Sequence, residues 1–190
     1  MKQLPMKPAL SALLLFLSVA AAGCLSADHK EVILTVKPDG SGSGRVVFHD
    51  IVSMEEGGKD VSVADYTELI STYYKGRKFE DYYPQYSNFK KRLFEEDGKL
   101  SGEITFDFGN YEDAGLFRYK GQGPWMYHVG VKSEFAAERY DTSNGTLGGE
   151  TMPVVFWPAE THEFRISSHY DRSDATVRRL LSLFTRIGTE

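Results

Sequence analysis

The chain has 190 residues, 41% hydrophobic and 13% aromatic, with 22 lysines and arginines against 27 aspartates and glutamates. Such a length and apolar content fit one domain with a real core, while the net charge of -5 disfavours a nucleic-acid partner or an anionic lipid surface. The single cysteine, Cys24, excludes an internal disulfide, so the domain has to be held by packing.

Lys2 and Lys7 lead into an apolar run over residues 9–19, and the small residues 20–23 end at Cys24. This is the layout of a secretory signal, and the run is too short for a stable membrane span. The junction Ala21-Ala22-Gly23-Cys24 resembles the lipobox of bacterial lipoproteins, with Ala21 where leucine is usual. The resemblance implies cleavage before Cys24 and attachment of thioether-linked and amide-linked acyl chains such as palmitate to that cysteine. Two or more chains make attachment effectively stable, at ~0.8 kcal/mol per buried CH₂. Leu25 stands where an aspartate would retain a lipoprotein in the inner membrane, so the periplasmic face of the outer membrane is the implied destination in a Gram-negative host. The expected layout is a signal peptide over 1–23, a lipidated tether over 24–30 and a single α+β domain over 31–190. Without Lys2 and Lys7, 20 basic residues face 27 acidic ones, a net charge of -7 that reads as solubility.

In residues 31–37, Val32, Leu34 and Val36 alternate onto one face of a strand. The cluster Gly40-Ser41-Gly42-Ser43-Gly44 could cradle a phosphate, but such loops precede a helix. Here the β-branched and aromatic residues 45–52 follow, so a hairpin turn is expected. After a polar loop, Ser62 and Asp65 have capping-box spacing, and Tyr66, Leu69, Ile70 and Tyr73 recur at helical spacing until Gly76. Residues 92–99 form a hairpin around Asp97-Gly98. Leu100, Ile104, Phe106 and Phe108 then face the core, alternating with Ser101, Glu103, Thr105 and Asp107.

Asn110 to Gly115 reads as a single helical turn, and Trp125, Tyr127, Val129 and Val131 as a strand running on towards Tyr140. Asn144-Gly145 signals another hairpin; with Thr146 it also fits a glycosylation sequon, which a bacterial lipoprotein does not normally use. Val154 to Trp157 is expected to pair with Glu163 to Ser167. A last helix capped by Ser173, with Asp174 in its first turn, carries Val177, Leu180, Leu181, Phe184 and Ile187 as its apolar stripe. The class is therefore α+β, an antiparallel sheet of hairpins packed against an amphipathic helix and a C-terminal helix. The Asp-Gly turn, the strand around Leu100 to Phe108, Ser143-Asn144-Gly145, Phe156-Trp157 and the helical end resemble small bacterial lipoprotein domains of the mycobacterial LppM type. That resemblance implies a lipid- or glycolipid-binding envelope fold rather than a reaction.

No residues spell a catalytic motif. The five histidines show no i,i+4 pair, and turn chemistry accounts for Asp171 and Asp174 beside His169, so no metal or other cofactor is expected. Glu55-Glu56 and Glu95-Glu96 read as solvated surface. Between Tyr73 and Arg92 aromatic and basic residues interleave, and Tyr82, Tyr83, Tyr86, Lys90 and Arg92 form the candidate binding face. The plainer reading puts half of these aromatics in the core. The expected function is a membrane-anchored, non-catalytic binding or assembly module for a lipid, glycan or envelope protein. The alternative is an envelope hydrolase whose site is scattered over the strands.

Overall fold

The computed structural model describes residues 25–55, 57–129, 138–172 and 176–188. The signal peptide, Cys24, Glu56, Val131, Ser173 and Asp174 lie outside the described residues. In chain order the elements are β1 (Leu25–Ser26), β2 (His29–Val36), β3 (Gly42–His49), β4 (Val52–Met54), α1 (Ser62–Glu68), a π-helical segment (Leu69–Tyr74) and α2 (Lys78–Tyr82). They continue with β5 (Tyr86–Glu96), β6 (Lys99–Phe108), β7 (Leu116–Arg118), β8 (Trp125–His128), β9 (Glu138–Ser143), β10 (Thr146–Leu147), β11 (Val154–Trp157), β12 (Glu163–Tyr170), β13 (Val177–Arg179) and α3 (Leu181–Ile187).

The protein is α+β, and the strand pairs are antiparallel. A six-stranded sheet has the order β5-β6-β3-β2-β12-β9, a four-stranded sheet β10-β11-β8-β7 and a three-stranded sheet β1-β4-β13. The β2–β3 turn is tied by Asp39 Oδ1, which accepts from the Ser41 N–H (3.0 Å) and Oγ (2.7 Å). At the β5–β6 turn Asp97 and Gly98 take φ of 50° and 71°, the left-handed pair that matches strand twist in a tight hairpin. Gly42 and Gly44 serve β3 itself: the rings of Phe108 and Phe106 lie over them, where a Cβ would overlap. The glycine cluster is thus a turn followed by a seat for two aromatic rings.

The inner face of the large sheet carries Val32, Leu34, Val36, Val46, Ile104, Phe106, Phe108, Phe164 and Ile166, as alternation predicts, and packs against Trp125, Tyr127, Val155 and Trp157 of the four-stranded sheet. A second core lies among Leu25, Ile51, Tyr66, Leu69, Ile70, Leu100, Leu180 and Leu183, and Phe48 packs against both.

Five expectations are corrected by the structure. Residues 25–30 are not a tether, because β1 pairs with β4, Leu25 enters the second core and Lys30 is buried. The helix after Ser62 starts without a capping box: the Ser62 N–H donates to Asp60 Oδ1 (2.9 Å), while Asp65 is buried and accepts from Ser53 Oγ (2.6 Å). Asn144-Gly145 closes no hairpin, since β9 pairs with β12 and β10 with β11, so the chain changes sheets at this point. The Asn144 Oδ1 accepts from Trp157 Nε1 (2.7 Å) in one sheet and from the Arg165 N–H (2.8 Å) in the other. A Cβ on Gly145 would come within 2.6 Å of the Trp157 indole. For the same reason β11 lies between β10 and β8 and not beside β12.

The last correction concerns the C-terminus, where β-branched Val177 leads a strand along β4 and leaves a helix of only 7 residues. Val177 and Ile187 are 39% and 48% exposed, so the apolar stripe is broken, whereas Leu180 is fully buried in the second core. Leu180→Ala is expected to cost ~2–5 kcal/mol, read from the urea unfolding midpoint at unchanged slope. A variant unfolding with the parent would mean that this core is dispensable.

Candidate functional site

The five residues of the expected binding face do not form one surface. Tyr82 is 57% exposed under the Lys78 ammonium, and Tyr83 is half-buried. Tyr86 is only 7% exposed, stacks on Phe106 at 4.3 Å between centroids and donates its hydroxyl hydrogen to the Asp113 carbonyl (2.9 Å). Lys90 and Arg92 point to the opposite face of the sheet. The cause is a β-bulge, since Ser87 faces Asp107 but Lys90 faces Thr105, so one extra residue inverts the alternation. Asn88 supplies the turn with φ of 54°.

Lys90 lines an open trough of about 710 Å³ on that outer face, with Arg45, Asn88, Thr105 and Asp107. Much of its charge is already matched: Arg45 and Arg92 both reach Glu103 Oε2, at 2.5 and 3.2 Å, and Asn88 Nδ2 donates to Asp107 Oδ2 (2.8 Å). A rung of histidines also crosses this sheet, His169 facing His29 and His29 facing His49. The His29 and His49 rings stack at 4.1 Å, and His49 Nδ1 lies 2.7 Å from Glu96 Oε2. That hydrogen bond holds the Glu96 carboxyl below its ordinary value. Among the described residues no group of three histidines, cysteines or carboxylates has the geometry of a metal site. Asp171 is engaged by Arg139 Nη2 at 2.6 Å.

The other face holds the more distinctive site. Under α2 a cleft of about 50 Å³ is walled by Val32, Val46, Phe48, Ile104 and Phe106 of the sheet and roofed by Phe79, Tyr83, Tyr86 and Phe89. Two polar residues close it, Lys30 and Tyr170. The Lys30 ammonium is buried and sits 2.6 Å from Glu138 Oε1. Glu138 also accepts hydrogen bonds from Ser168 Oγ and from the Tyr170 hydroxyl. Burial pulls Lys30 down to about 8 against the opposing pull of Glu138. The same cause pushes the Tyr86, Tyr127 and Tyr170 hydroxyls well above their ordinary range.

Besides the Tyr86 hydroxyl, Lys91 fastens the roof. Lys91 Nζ donates to the Gly76 carbonyl (2.6 Å) and pairs with Glu80 Oε2 (2.9 Å), holding the five residues of α2 across the sheet. Burial opposes ionisation of Glu80, but the Lys91 hydrogen bond, a backbone hydrogen bond and the charges of Lys91 and Arg77 together keep the carboxyl below its ordinary value. The π-helical segment before the roof is a widened turn of a kind found at functional sites, and its Tyr73 ring meets Phe79 at 5.7 Å.

Of the expected residues, Tyr83 and Tyr86 belong to this cleft, Tyr82 stands outside it, and Lys90 and Arg92 lie across the sheet. Lys30, Glu138 and Tyr170 were missed, because their approach depends on β2 and β9 flanking β12. Comparison with known proteins finds no matching family model, no matching curated protein and no matching solved structure.

Proposed function

We propose that the chain is a membrane-anchored envelope lipoprotein whose domain binds the apolar part of a lipid or other amphiphile under α2, without catalysing a reaction. The observation that carries this reading is a cleft of aliphatic and aromatic side chains with one buried ion pair at its wall. A volume of about 50 Å³ is far below that of a drug-sized pocket, so a ligand enters as α2 lifts. The shortness of α2, only 5 residues, supports that movement. Membrane attachment rests on the lipobox-like Ala21-Ala22-Gly23-Cys24, and Leu25 after it favours the periplasmic face of an outer membrane where the host has one.

The mature protein should therefore bind a fluorescent fatty acid saturably at one site. Phe79→Ala and Tyr83→Ala, which strip the roof and leave the sheet intact, should weaken that binding on the order of thirtyfold, about 2 kcal/mol. Folded protein without saturable binding would rule out the cleft. The anchor has its own test: Cys24→Ser should leave the protein uncleaved or released to the soluble fraction. If this variant still partitions fully with membranes after a salt wash, Cys24 is not the anchor.

A further inference from the structure

Strand β1 constrains how such a lipoprotein must sit. Leu25 follows Cys24 directly, packs in the second core and pairs with Ser53, while Ser26 pairs with Val52. An acylated Cys24 thus lies one residue, about 3.8 Å along the chain, from rigid structure. With its acyl chains in the bilayer, this end of the domain is held at the level of the lipid headgroups.

The register of the three-stranded sheet identifies what else lies there. Across β4, Arg178 stands opposite Ser53 and Leu25, and Arg179 opposite Val52 and Ser26, so both arginines lie two strands, about 10 Å, from β1. Arg178 is neutralised by Glu55 at 2.6 Å and Asp60 at 3.6 Å. Arg179 is exposed and, among the described residues, has no carboxylate within ion-pair distance. Alternation puts Val177, itself exposed, on the same side of β13 as Arg179. An apolar side chain and a guanidinium with no carboxylate partner among the described residues, two strands from β1, match the acyl boundary and the phosphate of a phospholipid.

We propose that the β1-β4-β13 end of the domain docks on the headgroup layer of a bilayer containing anionic phospholipid, through Val177 and Arg179. The proposal rests on the acylation of Cys24. It is tested with full-length mature protein in vesicles of phosphatidylcholine with or without phosphatidylglycerol, after intact-mass measurement of the acylated chain. Val177→Cys and, in the turn between β10 and β11, Met152→Cys each place a single thiol for a fluorophore, Cys24 being blocked by its thioether.

Nitroxide lipids labelled at the headgroup should quench the probe at 177 and spare the probe at 152. Arg179→Glu should shift the docked population by about fivefold or more in phosphatidylglycerol vesicles, the factor carried by one basic side chain near an anionic surface. Equal quenching at 177 and 152, or quenching indifferent to Arg179→Glu, would overturn the docking proposal while leaving the lipoprotein reading intact. An unacylated Cys24 in the mass spectrum would overturn both.

Discussion

Phe164→Ala is expected to lower the unfolding free energy by ~3–5 kcal/mol, the range for truncating a buried aromatic side chain. Phe164 has no exposed surface and stands edge-on between the indoles of Trp125 and Trp157, at 5.2 Å from each. It is where the six-stranded and four-stranded sheets meet, and the cavity left by alanine would be lined by rings that cannot collapse independently. Trp157 is fixed by Asn144 Oδ1 (2.7 Å) and Trp125 Nε1 donates to the Ala159 carbonyl (3.2 Å). Urea unfolding followed by tryptophan fluorescence reads the loss. A change under 1 kcal/mol would show that the two sheets are not held together through this contact.

Glu138→Gln is expected to cost ~3–5 kcal/mol at pH 7, since it leaves the Lys30 ammonium buried without its counter-charge. The sign of the pH dependence follows from Lys30. Its folded value of about 8 lies below the ordinary 10.5, so between these values the unfolded chain holds the proton that the folded chain has lost. Stability of the parent should therefore rise from pH 8 towards pH 10, by up to about 3 kcal/mol if Lys30 acted alone. Above pH 10 the raised tyrosines act oppositely, because Tyr86, Tyr127 and Tyr170 stay protonated in the fold while the unfolded chain ionises. A maximum near pH 10 is the expected profile.

The deficit of Glu138→Gln should shrink as the pH rises from 7 through the folded Lys30 value of about 8, where the ammonium that Glu138 compensates disappears, and Lys30→Met should abolish the rise from pH 8 to 10. Chemical denaturation across that pH range measures all three proteins. A deficit independent of pH would mean that Glu138 acts through Ser168 and Tyr170 rather than through the lysine.

The Lys30–Glu138 pair lies beside the cleft, so its energetics would bear on the binding proposed there. A buried ion pair next to apolar walls is costly, and replacing such pairs by apolar residues is often neutral or stabilising. Its presence at the edge of a site where a ligand's polar end would emerge is consistent with a positioning role. Phe79, Tyr83 and Lys91, by contrast, act through the roof, and their substitution should change access more than stability.

What the sequence determined by itself is what depends on near neighbours. Alternation over residues 31–37 and 100–108 named the core face of two strands correctly, because successive side chains in a strand must point to opposite sides. Asp97-Gly98 named its turn, because the required backbone conformation is a property of those two residues. The α+β class followed from such local signals.

Tertiary structure decided the rest, wherever one residue answers to partners far along the chain. Asn144 reads locally as a hairpin tip, but its amide is claimed by Trp157 and Arg165 from different sheets, and the chain crosses between them. Val177 fits the start of a helical stripe with Arg178 and Arg179 outside it, yet the open edge of β4 recruits all three as a strand. The candidate face at Tyr82 to Arg92 assumes a tyrosine loop with Lys90 and Arg92 nearby, but one extra residue at Asn88-Phe89 leaves Tyr86 inward and turns Lys90 and Arg92 outward, while Tyr83 enters the cleft and Tyr82 stays exposed. The cleft and its ion pair arise only where β2, β9 and β12 lie side by side, since strand order is a choice among long-range pairings that no short stretch encodes.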